Sequence, residues 1–357
     1  MLPAVLAGIL ILFGSSNVFA KTFVYVSIGS QNEVAIFRMD DATGALTKVD
    51  TEKVDGAVGA LTFDPQRKFL FSSLRSTRIL GSYRVDPATG KFTSVGSTKV
   101  LGSLAATYLA TDRTGKFLFA PSYAGARVDV FAIGTDGSLS AQPVDEILTS
   151  PAAHSVAVDA DNRNVFVPHV QANVVFHFWF EPEKNGRIIE LARSPGSPGS
   201  GPRHIALHPS QRWAFTSNES NSTMTLWSIP PSGTGVIKAV QTLPTIPADF
   251  KERNTPADSR VHPSGKFVWI SNRGHDSLAG FRFDAETGQM TSLGQTSTEK
   301  TPSSFDIEPS GRFLFAGGEG SGKLAAFSIN ADTGQLTRIA TYDLGGGPTW
   351  VAAVNLP

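Results

Sequence analysis

Apolar and polar residues alternate with a period of two along most of this chain, in short runs broken by turn-forming residues. Such alternation puts apolar side chains on one face of a strand and does not fit the 3.6-residue helical period. Three stretches share one pattern: GSQNEVAIFRMDDATGALTKV (29–49), GHDSLAGFRFDAETGQMTSL (274–293) and GSGKLAAFSINADTGQLTRI (320–339). Each reads as a strand, an Asp/Asn-x-x-Thr-Gly turn and a second strand. Asp, Asn and Gly suit the turn because they tolerate positive φ or bond their own backbone. A second theme precedes the first: FDPQRKFLFSS (63–73), TDRTGKFLFAP (111–121), HPSGKFVWISN (262–272) and EPSGRFLFAGG (308–318) each place a turn between strands.

An aromatic residue near the end of the third strand of each unit serves as a ruler. It falls at Phe37, Tyr83, Phe131, Phe178, Trp227, Phe281 and Phe327, with intervals of 46, 48, 47, 49, 54 and 46 residues. Seven repeats of four short strands predict an all-β fold, a seven-bladed β-propeller with four antiparallel strands per blade. The first repeat opens at FVYVSIGS, a second-strand sequence, and the C-terminal GGGPTWVAAVNLP (345–357) reads as an inner strand with no blade after it. The C-terminal strand is therefore expected to complete the first blade and close the ring. In this topology the one–two and three–four turns share one face. The start of strand one and the two–three corner share the other.

Repeat comparison then isolates unusual residues. The inner strands PAAHSVAV, GPRHIAL and TPADSRV align His154, Arg203 and Ala257, followed by Ser155, His204 and Asp258. The corners PHVQANVVF, SNESNSTMTLW and SNRGHDSLAGF align Val170, Glu219 and Arg273. A propeller blade needs no particular charge at these places. His154, Arg203, Glu219 and Arg273 are expected on one face of the channel, as a convergent polar cluster fit for a functional site. Two long loops belong to that face: RSPGSPGSGPRH (193–204) and the insertion TIPADFKERNTPAD (245–258), which accounts for the 54-residue interval. His208 and His262 precede proline in turns and read as structural. His169 and His177 read as strand residues, and His275 and Asp276 as solvated corner residues.

Composition narrows the function classes. Lysine plus arginine, 31, equals aspartate plus glutamate, 31, so no basic field invites nucleic acid or an anionic membrane. Absence of cysteine excludes disulfides, thiolate nucleophiles and cysteine metal sites. AVLAGILILF (4–13) is too short to span a bilayer, and with GSSNVFA after it reads as a signal peptide over residues 1–20, leaving the propeller over 21–357. The n-region lacks lysine and arginine. A periplasmic or secreted mature chain without a membrane span is the expectation. No phosphate loop, His-Glu-x-x-His site or Gly-x-Ser-x-Gly elbow is present; GGEGSG (317–322) joins two strands, whereas a phosphate loop needs a following helix.

The segments GPRHIALHP, SNESNSTMTLW, HPSGKFVWISNRGHDS, PSSFDIEPSGRFLFAGG and GGGPTWVAAVN resemble the seven-bladed propeller lactonases. That family includes the propeller-type bacterial 6-phosphogluconolactonases and the fungal carboxy-cis,cis-muconate lactonising enzyme, and the resemblance spans nearly all of residues 22–357. It implies hydrolysis of a sugar lactone, 6-phosphogluconolactone or an aldonolactone such as glucono-1,5-lactone. The histidine, two arginines and glutamate proposed as the fungal enzyme's site would fall on His154, Arg203, Arg273 and Glu219. An unperturbed histidine near pKa ~6.5 suits a general base, so His154 is assigned that role, with Glu219 sharing, replacing or orienting it. Arg203 and Arg273 suit an oxyanion or carboxylate. His204, Asp258 and Asn272 are expected to contact substrate hydroxyls or to support the residues that do. No metal or cofactor is called for. The alternatives are a muconate-type cycloisomerase and a non-catalytic propeller that binds a protein or small ligand on the same face.

Overall fold

The computed structural model of the protein describes residues 20–100, 105–231 and 235–357. The expected signal peptide lies outside these residues except for Ala20. The described residues form seven four-stranded antiparallel sheets, and the inner strands of successive sheets touch all the way round the ring. The only helical pieces among them are two single turns, Gly29–Gln31 and Pro182–Lys184. No described helix is long and apolar enough to cross a membrane.

The first blade is built from both ends of the chain. Its inner strand is Pro348–Leu356, which pairs antiparallel with Lys21–Ile28. Register runs from Lys21 opposite Leu356 to Ser27 opposite Trp350. The side chains of Thr22 and Asn355 bond at 2.8 Å. Closure of this kind leaves no exposed inner sheet edge to recruit a foreign strand.

All seven ruler aromatics lie on third strands and are buried. In six blades the pairing of third with fourth strand slips by one residue immediately before that aromatic, as at Ile36/Phe37 and Leu226/Trp227. Blade three lacks the slip because its outer strand, Asp145–Leu148, pairs no further than Val130. A bulge adds local twist, which lets each outer strand splay away from its neighbour.

Blades are stitched by small polar groups. The second-strand hydroxyl of Ser27 donates to the carbonyl of Gly59, that of Ser73 to Ala106 and that of Ser217 to Ala257, each in the next blade's inner segment. The opposite face uses its turns. His262 Nε2 meets the Gly311 carbonyl at 2.8 Å while its Nδ1 meets Ser264 Oγ, so this histidine is structural as expected. Gly90 shows why the three–four turn needs glycine. Its φ is +74°, and a Cβ there would meet the Phe23 ring at 2.5 Å. Gly294 has φ +86° with open space around it.

These two glycines separate backbone strain from crowding. Gly294→Ala should cost about 1–2 kcal/mol, the left-handed penalty alone. Gly90→Ala should cost about 2–5 kcal/mol, since forcing a methyl into packed space adds about 1–3 to the left-handed penalty. Denaturant unfolding of both variants measures the difference; equal losses would contradict the packing account.

Candidate functional site

In blade five, Pro202 pairs with Asn218 and Ile205 with Thr216, so Arg203 and His204 face Ser217 alone. Blade six repeats the pattern: Pro256 pairs with Asn272 and Ser259 with Ile270, leaving Ala257 and Asp258 opposite Ser271. The extra amides are not orphaned. His204 N–H donates to Ser217 Oγ at 3.2 Å and Asp258 N–H to Ser271 Oγ at 3.0 Å. A regular strand sends adjacent side chains to opposite faces, and a bulge breaks that rule. This is why the neighbours Arg203 and His204 both line one pocket at the channel mouth.

The same mouth collects the two–three corners. Arg75, Glu219 and Glu319 each follow the second-strand residue that pairs with the first residue of the inner strand, and Arg273 takes the equivalent place after Asn272, which pairs with Pro256 just before the bulge. Glu219 Oε2 lies 2.7 Å from Arg203 Nε and 3.1 Å from Arg273 Nη2. The Arg203 contact is an ion pair and not a directed hydrogen bond, since Nε and Nη1 have no partner of hydrogen-bond geometry. Arg273 Nε also donates to the Thr255 carbonyl at 3.1 Å. Arg75 folds under Gly59, where any Cβ would collide with its guanidinium. Ser303 Oγ donates to Glu319 Oε2 at 2.6 Å.

Two imidazoles form the floor, with ring centroids 5.1 Å apart. Burial holds His154 well below the usual histidine pKa, and the neighbouring Arg203, His204 and Arg273 push the same way. Burial, then Arg203, brings His204 down to about 4, although Asp258 opposes them. Both rings are therefore neutral at physiological pH. Burial also lowers Arg203, to about 9, with Arg273 contributing; it remains charged. Asp258 is fully buried. Burial alone would raise it, but Arg260 and His204 outweigh that and hold it at about 2.

His154, Arg203, Glu219 and Arg273 thus come together, and His204 joins them. Asp258 lies beneath His204 and does not line the pocket. Asn272 does not line the pocket either. It is fully buried, accepts from Asn254 Nδ2 at 3.2 Å and donates to the Thr245 carbonyl at 2.9 Å, which pins the 245–258 insertion. His275 and Asp276 are half-buried instead of solvated: His275 packs on Phe250, and Asp276 Oδ1 accepts from Thr301 N–H. Arg75, Glu319, Thr107, Thr349 and Trp350 also line the pocket. The first two share the repeat position of Glu219 and Arg273, so extending the corner alignment to blades two and seven would have found them.

This cavity is small, about 70 Å³, and a larger one of about 480 Å³ opens at the other mouth, lined in part by Arg67, Tyr108, Arg113 and Arg260. The larger one is the weaker candidate. Arg67 and Arg113 donate to backbone carbonyls, and Arg260 is held by Asp258 and Asp306. The smaller cavity carries the unpartnered buried atoms His154 Nδ1, His204 Nε2 and Arg203 Nη1. Among the described residues no cluster of three or more His, Asp or Glu forms a metal site.

Comparison with known proteins gives the same architecture. A family model described as "Lactonase, 7-bladed beta-propeller" matches residues 18–104 and 92–353. The 6-phosphogluconolactonase of Pectobacterium carotovorum subsp. carotovorum is 32% identical over 333 residues, 93% of this chain and 98% of that protein. The 6-phosphogluconolactonase of Erwinia tasmaniensis is 32% identical over 338 residues, 94% of this chain and 99% of that protein. The solved structure of the Pseudomonas aeruginosa periplasmic gluconolactonase superposes with a TM-score of 0.86 at 25% identity, over 95% of this chain and all of that one. With a family model matching almost the whole propeller and relatives of this identity along nearly full length, the chain belongs to the seven-bladed β-propeller lactonase family.

Proposed function

We propose that the protein hydrolyses a sugar lactone at this mouth of the channel, with an aldonolactone such as glucono-1,5-lactone as substrate. The observation that carries the reading is two neutral, partly unpartnered imidazoles set against three guanidinium groups. Ester hydrolysis needs a base for water and positive charge where the carbonyl oxygen becomes an oxyanion. A neutral imidazole takes a proton from water as the water oxygen bonds the carbonyl carbon. Arg203 or Arg273 faces the oxygen that gains charge. The ring C–O bond then breaks, its oxygen takes the proton back, and the open-chain hydroxy acid leaves and ionises, giving one proton to solvent. Glu219, held between Arg203 and Arg273, orients them.

The choice of an unphosphorylated sugar rests on charge pairing. Arg203 and Arg273 share Glu219, and Arg75 feels Glu319. Three guanidiniums against two carboxylates leave little excess charge for a phosphate dianion. The carboxylates instead suit the hydroxyls of a polyol. A mature chain in the periplasm or outside the cell is part of this proposal, supported by the leader-like sequence before Lys21.

A pH-stat assay over a lactone panel, corrected for spontaneous opening, tests the activity. Glucono-1,5-lactone should be turned over with kcat/KM at least about tenfold above 6-phosphogluconolactone, a difference of about 1.4 kcal/mol in transition-state binding. A reversed ratio would contradict the substrate, and no turnover of any lactone would favour a non-catalytic binding face. Within the same assay, Arg273→Ala and His154→Ala should each lower kcat/KM by about 100-fold, the scale of losing one stabilising or proton-handling group. Their unfolding midpoints should stay close to that of the wild type. Undiminished activity in both would remove this pocket from the chemistry.

A further inference from the structure

Resting on the lactonase reading, we infer that His204, oriented by Asp258, is the general base that activates water, and that His154 is a positioning group beside it. The sequence alone points to His154 for that role. The geometry distinguishes the two rings.

His204 Nδ1–H donates to Asp258 Oδ1 at 2.8 Å. With the proton on Nδ1, Nε2 carries the lone pair, and it is buried with no hydrogen-bond partner. The ring lines the pocket at 3% exposure and is held edge-on by Tyr108, 5.2 Å away at 88°, with Trp350 at 6.2 Å. Its backbone is fixed by the bulge and Ser217. Asp258 is equally constrained. Its oxygens accept from Ser259 N–H at 2.9 Å, Ser304 Oγ at 3.2 Å and Phe305 N–H at 3.3 Å, and Arg260 pairs with it at 3.3 Å. A carboxylate held this way fixes the imidazole tautomer and stabilises the imidazolium formed when the base takes a proton.

His154 has no such partner. Its neighbours Arg203, His204 and Arg273 all oppose a positive ring, and no carboxylate is bonded to it. A proton taken there would meet Arg203 and Arg273 with no carboxylate bonded to the ring. A proton taken at His204 Nε2 completes an imidazolium facing Asp258. Bond changes balance within this pair: a water O–H breaks, the oxygen bonds the carbonyl carbon, and Nε2 holds the proton. When the ring C–O bond breaks, Nε2 returns the proton to the departing oxygen. Asp258 is a positioning residue and keeps its charge throughout.

The pH profile distinguishes a dyad from a structural contact. Charged and titratable groups acting on His204 are Arg203, Asp258 and Arg260, with His154 beside it. Because base catalysis needs the neutral ring, kcat/KM should be flat near neutrality and fall with unit slope near pH 4. Removing the charge of Asp258 removes the influence that raises His204, so Asp258→Asn should move that limb to lower pH and cut kcat about 100-fold. His204→Gln should cut kcat about 1,000-fold, inside the roughly 10²–10⁴ range of general-base catalysis. His154→Gln should lower the rate and leave the limb where it is. Long-range ¹H–¹⁵N correlation on the wild-type protein gives a second readout independent of turnover and of variant folding: His204 should be the Nδ1–H tautomer with unprotonated Nε2. Finding the Nε2–H tautomer, or His204→Gln at wild-type kcat, would overturn the dyad while leaving lactonase activity standing. A wild-type protein inert toward every lactone would overturn both.

Discussion

Everything in this molecule depends on the pairing of Lys21–Ile28 with Pro348–Leu356. A ring of blades has no stable partial form in which the first and last sheets both bury their faces. The pairing brings together residues more than three hundred positions apart. It also completes the site, because Thr349 and Trp350 of the closing strand line the pocket with Arg75 of blade two and Glu319 of blade seven. Trp350 packs on Tyr108 at 5.1 Å and approaches His204 at 6.2 Å. Closure and pocket floor are one packing arrangement.

Within the closed ring, the candidate site comes from a local departure from strand geometry. The inner-strand bulges of blades five and six turn consecutive residues the same way, so that a guanidinium, an imidazole and a buried carboxylate stack where a regular strand would show every second side chain. Burial then sets protonation. It keeps both floor histidines neutral, while Glu219 holds Arg203 and Arg273 in place. A buried charge survives only with partners, and Asp258 has several. The polar cluster is thus tolerated because its charged members have counterions, while His154, His204 and Arg203, which line the pocket, each keep a buried polar atom without a hydrogen-bond partner.

Much of this was legible in the chain. The period-two alternation, the Asp-x-x-Thr-Gly turns and the spacing from Phe37 to Phe327 give the blade count, and the second-strand character of FVYVSIGS gives the closure. Repeat alignment brought out His154, Arg203, Glu219 and Arg273. Arg75 and Glu319 occupy the same repeat position in blades two and seven, where the corners carry the same signal. Asn272 stands beside Arg273 in the chain but is buried, and its bonds to Asn254 and Thr245 anchor the insertion. The His204–Asp258 pair was hidden for a different reason. The two residues are 54 positions apart, and their contact depends on two bulges that no hydrophobic pattern marks.

The account centres on a lactone carbonyl seated between the arginines and the histidine floor. A crystal structure with the non-hydrolysable lactam of the corresponding aldonic acid tests this most directly. The lactam oxygen should lie about 3 Å from a guanidinium nitrogen of Arg203 or Arg273, with a water between its carbonyl carbon and His204 Nε2. A lactam bound instead at the opposite mouth, against Arg67 and Arg113, would contradict the account.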